Sequence, residues 1–109
     1  MDRVVIVIIV LLILWLMKEH HSIKVYRFYR KSCPHCVNSQ KEWDSFKFSC
    51  ILKMVSCVDV DMSTPSGIDI AAKYSVTSVP TVIAVNGKMM TTYSGDRSAE
   101  SYSDWVSTF

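Results

Sequence analysis

Residues 4–17 read VVIVIIVLLILWLM, fourteen consecutive apolar residues. Such a run cannot lie on the wet face of a folded domain, so it divides the chain: it sits in lipid, is removed as a signal, or is buried in a core. A helix of this length spans about 21 Å, short of the ~30 Å hydrocarbon core. Trp15 suits a headgroup interface, Lys18 can snorkel outward, and local bilayer thinning can absorb the remaining mismatch. A cleaved signal needs small residues before the cut, whereas Lys18-Glu19-His20-His21 follow here. A fourteen-residue core strand would be long, although Val and Ile dominate the first half of the run. We therefore expect an uncleaved single-pass transmembrane helix, with residues 1–22 as anchor and tether and residues 23–109 as one folded domain.

Half of the 109 residues are hydrophobic and the formal net charge is +2. Outside the apolar run the composition is that of an ordinary globular domain, which excludes a disordered or collagen-like chain. A charge of +2 gives nucleic-acid binding no support, and no such partner is expected. The four cysteines are too few for a disulfide-dense scaffold and too many to ignore.

Ile23 to Tyr29 is rich in β-branched and aromatic residues and reads as a strand. Ser32 resembles an N-cap with Pro34 in the first turn of a helix. Helical spacing of Cys36, Val37, Gln40, Trp43 and Phe46 carries that helix to about Phe48. Lys53 to Asp61 reads as a second strand, with Met54, Val58 and Val60 available to a core. Pro65-Ser66-Gly67 marks a turn and Ile68 to Tyr74 a short helix. Thr81–Val85 and Lys88–Tyr93 form a hairpin around Asn86-Gly87. Ser98 opens a last helix with Tyr102, Trp105, Val106 and Phe109 on one side. The order is β-α-β-α-β-β-α.

Cys33-Pro34-His35-Cys36 lies between the first strand and the helix that follows it. The first thiol of such a pair sits where unpaired N–H groups and the helix dipole favour negative charge, and thiolate is the nucleophilic form. Cys36 can reach the Cys33 sulfur within one turn and resolve a mixed disulfide. His35 adds positive charge when protonated, and Pro34 stiffens the turn without removing a donor the helix would use. A zinc knuckle is the competing chemistry, but zinc needs two further ligands at suitable spacing, and Cys50 and Cys57 form no second knuckle. No metal is expected.

Residues 23–109 resemble the thioredoxin superfamily, nearer to thioredoxin and protein disulfide isomerase domains than to glutaredoxin. The resemblance is carried by Arg27-Phe28-Tyr29 leading into Cys33-Pro34-His35-Cys36, and by Lys73-Tyr74-Ser75-Val76-Thr77-Ser78-Val79-Pro80-Thr81. Asn86-Gly87-Lys88 and Tyr93-Ser94-Gly95-Asp96-Arg97-Ser98 add to it. It implies a thioredoxin-like α/β fold, a mixed four-stranded sheet flanked by helices, with the family's first strand and helix missing. It further implies a thiol–disulfide oxidoreductase that exchanges disulfides with protein substrates and uses no cofactor beyond the Cys33–Cys36 pair. Its electron donor or acceptor is unspecified. Cys33 and Cys36 would be catalytic with His35 assisting. Pro34, Val79 and a cis Pro80 would shape the substrate site, where the Val79 backbone can pair with an extended peptide. A metal-binding or partner-tethering module without turnover is one alternative. A glutathione-dependent glutaredoxin-like enzyme is another, although Ser94-Gly95-Asp96-Arg97 stands where its Gly-Gly-x-Asp signature would fall.

The chain departs from the family pattern at three places. Ser32 replaces the tryptophan before the first cysteine, Lys41 the helix proline, and Arg27 the buried acid that helps deprotonate the second cysteine. Lys24, Arg27, Arg30 and Lys31 can either stabilise the Cys33 thiolate or simply solvate a loop. Cys50 and Cys57 either form a structural disulfide or remain small buried thiols. Positive charges after the apolar run favour a cytosolic domain by count. The motif is similar to that of bacterial periplasmic disulfide oxidases, and with the even cysteine number it favours an oxidising lumen or periplasm. We expect the oxidising side.

Overall fold

The computed structural model describes residues 2–19 and 23–109; the expected tether residues His20 and His21 lie outside them. Its elements are α1 (Arg3–Glu19), β1 (Lys24–Tyr29), α2 (Pro34–Leu52), β2 (Ser56–Asp61), α3 (Pro65–Lys73), β3 (Thr81–Asn86), β4 (Met89–Thr92) and α4 (Ala99–Val106). Alternation along β1 explains its central place. Val25 and Arg27 are buried on one face, and Phe28 is buried on the other beside half-buried Tyr26. A strand buried on both sides needs neighbours on both edges. It has them in the sheet order β2-β1-β3-β4.

β1 and β2 are parallel, from Lys24↔Ser56 to Tyr29↔Asp61. A parallel pair requires a crossover, which α2 supplies. β3 runs antiparallel to β1, so Thr81 pairs with Phe28 and Val85 with Lys24. This register puts the start of β3 at the same end of the sheet as the end of β1. The β3–β4 hairpin turns through Gly87, whose φ of 62° is the positive value a two-residue hairpin needs at this position.

Each face of the sheet carries its own core. Val25, Val82 and Ala84 pack under Trp43, Phe46 and Cys50 of α2 and Tyr102 and Val106 of α4. Phe28, Val60 and Ile83 pack with Met62 and Ala71 on the α3 side. The Trp43 indole N–H donates to Asp59, and Lys47 reaches the same carboxylate at 2.7 Å, which ties α2 to β2.

Several boundaries differ from expectation. α2 continues to Leu52, and Val37 lies on its exposed side. The stretch before β2 is the helix stop. Val55 N–H bonds the Cys50 carbonyl across Met54, which has φ 57° and an 88 % exposed side chain instead of a core position. Pro65-Ser66-Gly67 is the first turn of α3, capped by Thr64, whose Oγ1 accepts from Gly67 N–H at 3.1 Å. Helix α1 has 17 residues, and its apolar side chains from Val4 to Leu16 are exposed. Among the described residues no helix is long and apolar enough to cross a membrane.

Gly67 is held against β2: an added Cβ would sit 1.8 Å from the Asp61 carbonyl oxygen. Backbone cannot yield as a side-chain tip can. Gly67→Ala is expected to cost roughly 1–3 kcal/mol, read as a lowered urea midpoint at unchanged slope.

Candidate active site

Cys33 is itself the N-cap of α2. Its φ and ψ of −84° and 116° are extended, its Sγ accepts from Cys36 N–H at 3.2 Å, and Pro34 takes the first helical position. Ser32, expected in that role, lies one residue too early, because proline at the first position assigns the cap to the residue just before it. The sulfur thus occupies the place a serine or aspartate oxygen usually takes. Cys33 is partly exposed, Cys36 is 2 % exposed, and His35 is on the surface.

The two thiols are pulled apart electrostatically. Hydrogen bonding from the Cys36 thiol lowers the Cys33 pKa, helped by the N–H groups of Cys36 and His35 and by the Arg27 charge, against a smaller desolvation effect. Burial raises the Cys36 pKa, and the Cys33 sulfur beside it raises it further. The two thiols of the pair are thus shifted in opposite directions.

Beneath this turn lies Arg27, 1 % exposed. Its guanidinium donates to the Cys36 carbonyl at 2.7 Å, to Ser39 Oγ at 3.2 Å and to Gln40 Oε1 at 2.9 Å. Ser39 Oγ in turn donates to the His35 carbonyl at 2.7 Å. The guanidinium carbon lies 5.4 Å from the Tyr29 ring centre and 5.9 Å from that of Trp43. Arg27 Nε is buried without a partner. Among the described residues the carboxylate salt bridges all belong to Lys47. Arg27 is thus a buried cation without a carboxylate partner among the described residues, and its charge makes a small contribution that lowers both thiol pKa values. Reading residues 24–31 as a basic cluster missed this burial. The signal was present in the two-residue period that sets Arg27 on the same face as Val25.

The Val79–Pro80 peptide bond is cis, and both residues are half-buried. Thr81 pairs with Phe28, so the register brings Pro80 to the Cys33 end of the sheet. Two shallow cavities flank this end. One, of about 180 Å³, is lined by Tyr29, Cys36, Val37 and Gln40. The other, of about 190 Å³, is lined by Pro80, Tyr93, Gly95 and Arg97.

Cys50 and Cys57 belong to neither. Cys57 pairs with Val25 in the sheet, and its sulfur lies 2.7 Å from Cys50 Sγ. Burial pushes the pKa of both Cys50 and Cys57 up. Among the described residues no group of three or more His, Cys, Asp or Glu side chains is placed to hold a metal ion.

Residues 15–108 match the thioredoxin family. The chain belongs to that family. Domains of this family act through their cysteine pair, without a cofactor, and are typically thiol–disulfide oxidoreductases. Among solved structures, the chain is similar to thioredoxin-2 of a malaria parasite, described as a component of its protein secretion machinery. That match has 23 % identity and a TM-score of 0.69, covering 82 % of this chain and 84 % of the other. It is similar to the first thioredoxin domain of mouse protein disulfide-isomerase A4, at 21 % identity and a TM-score of 0.69, over 83 % and 64 % of the two chains. It is also similar to Fasciola hepatica thioredoxin, at 20 % identity and a TM-score of 0.66, over 89 % of each. At these identities the likeness is one of fold.

The pKa order dictates an alkylation order. Thiolate is the reactive form, so the iodoacetamide rate at Cys33 is expected to rise with pH and level off below the ordinary thiol value of about 8.5. Cys36 should stay slow until well above it. Site-resolved mass spectrometry across pH 5–10 reads this directly, and equal rates at Cys33 and Cys36 near neutrality would contradict it.

Proposed function

We propose that the chain is a protein thiol–disulfide oxidoreductase attached to a membrane through residues 4–17, with its domain in an oxidising compartment. The observation that carries the redox assignment is Cys33 Sγ standing as the N-cap of α2 while Cys36 lies buried behind it. In the reducing direction the Cys33 thiolate attacks one sulfur of a substrate disulfide. A Cys33–substrate disulfide forms and one substrate thiolate leaves. Cys36 then gives up its proton and attacks Cys33 Sγ, which releases the second substrate thiolate and leaves a Cys33–Cys36 disulfide. The substrate has gained two electrons and the pair has lost two. The oxidising direction is the reverse, beginning with a substrate thiolate on Cys33 Sγ.

Stabilising the Cys33 thiolate favours the reduced form of the pair, and so favours passing the disulfide on to substrate. Buried Arg27 adds to the same preference. His35, exposed at the mouth of the turn, can supply further positive charge. An extended substrate segment would pair with the Val79 backbone beside Pro80, with Pro34 on its other side. Pairing of Cys50 and Cys57 as a structural disulfide belongs to the same compartment assignment, and their sulfur contact supports it. The metal-holding alternative is less well supported, since Cys33 and Cys36 supply two ligands and their described surroundings add no others.

The resolving step separates turnover from mere tethering. Cys36→Ser is expected to accumulate mixed disulfides with protein substrates, while Cys33→Ser should trap none and reduce insulin disulfides only at background rate. Non-reducing gels followed by mass spectrometry make the comparison; trapping through Cys33→Ser would reverse the assigned roles.

A further inference from the structure

The end of the domain opposite Cys33 carries apolar side chains that the core does not use. Phe48, Ile51 and Leu52 in the last turns of α2 are 73, 74 and 81 % exposed; Met54 after it is 88 % and Met89 at the start of β4 72 % exposed. The topology places them along one end of the sheet, Met54 at the β2 edge and Met89 at the β4 edge roughly 14 Å away. Met54 precedes Ser56, which pairs with Lys24 and whose N–H bonds the Ile23 carbonyl. Lys24 pairs with Val85, next to the hairpin that leads into Met89. Met54 also occupies a left-handed position, φ 57°, where glycine closes a helix at lower cost. Its side chain serves neither the turn nor the core.

Three exposed lysines mark the same end: Lys24 opens β1, Lys53 caps α2, and Lys88 lies in the β3–β4 turn. Apolar tips among ammonium groups are the composition of a surface that enters the headgroup layer of an anionic bilayer. The chain connection points the same way. Glu19 ends α1 and Ile23 lies four residues on, so at most about 14 Å of chain separates the apolar helix from this end of the sheet.

We propose that this face, built from Phe48, Ile51, Leu52, Met54 and Met89 and ringed by Lys24, Lys53 and Lys88, docks on an anionic lipid surface. The docking rests on the membrane attachment through residues 4–17 proposed above, and it adds an orientation. β1 is six residues long, which places the Cys33 end roughly 20 Å further from the lipid. The substrate side of the pair therefore faces water.

The test uses the full chain on vesicles of phosphatidylcholine and phosphatidylglycerol, with hydroxyl-radical footprinting read by mass spectrometry. The wild type is compared with the combined Lys24→Glu, Lys53→Glu and Lys88→Glu variant. Val37, 60 % exposed at the Cys33 end of α2, is the internal reference in both. Loss of three headgroup contacts and gain of three repulsions should speed oxidation of Met54 and Met89 on the order of tenfold, with Val37 unchanged and both proteins floating with the vesicles. Equal oxidation of Met54 and Met89 in two floating proteins overturns the docking while the attachment stands. A wild type that does not float overturns both. Protection that persists without lipid and grows with protein concentration assigns the face to a second copy of the chain and overturns the lipid assignment. A variant with changed Val37 reactivity is replaced by the single Lys53→Glu exchange, for which the same rise at Met54 is required.

Discussion

A guanidinium buried under the first turn of α2 braces the turn that carries the cysteine pair. Arg27 holds the Cys36 carbonyl, Ser39 and Gln40 together, so the turn that presents Cys33 is fastened to the central strand from below. Burying a charge without a carboxylate is costly unless other groups compensate. Three hydrogen bonds, two aromatic faces and a thiolate that forms nearby share that compensation here. The interaction is thus both a brace and a field: it positions the nucleophile and favours its charged form. Where the family pattern has a buried acid that can take a proton, this chain has a fixed cation that cannot. Arg27 therefore bears on Cys36 only through its charge, which favours the thiolate against the burial that disfavours it.

The topology gives the domain two ends of different composition. Because β1 and β2 are parallel and β3 is antiparallel to β1, the end of β1 and the start of β3 meet, and with them Cys33 and Pro80. The opposite end gathers the start of β1, the stop of α2 and the β3–β4 turn. It also receives the chain from α1. The Cys33 end and the end that follows α1 are separated by the height of the sheet, and the helix capped by Cys33 ends in exposed apolar side chains.

Much of this was legible in the sequence, for reasons that can be named. The order β-α-β-α-β-β-α followed from strand composition, proline placement and Asn86-Gly87, and the cysteine pair announced itself by opening a helix. The misses share a cause. Local residue preferences point to Ser32 as a cap, Pro65–Gly67 as a turn and Met54 in a strand, whereas a neighbouring constraint decides each outcome. Pro34 moved the cap onto Cys33, Thr64 began α3 early, and the Val55–Cys50 hydrogen bond turned Met54 outward. Arg27 was located in sequence, but its burial could not be read from charge alone, because basic residues on a strand are usually solvated. The proximity of Cys50 and Cys57 depends on the α2–β2 register, which the spacing of the two residues does not specify.

The most direct test of the Arg27 account is the reduction potential of the Cys33–Cys36 pair, measured in glutathione buffers for wild type, Arg27→Lys and Arg27→Met. Removing the buried charge should destabilise the thiolate and so the reduced pair. The Met variant is then expected to be more reducing than wild type, with Lys lying between them. A folded Met variant at the wild-type potential, with Cys33 alkylated along an unchanged pH profile, would contradict the account.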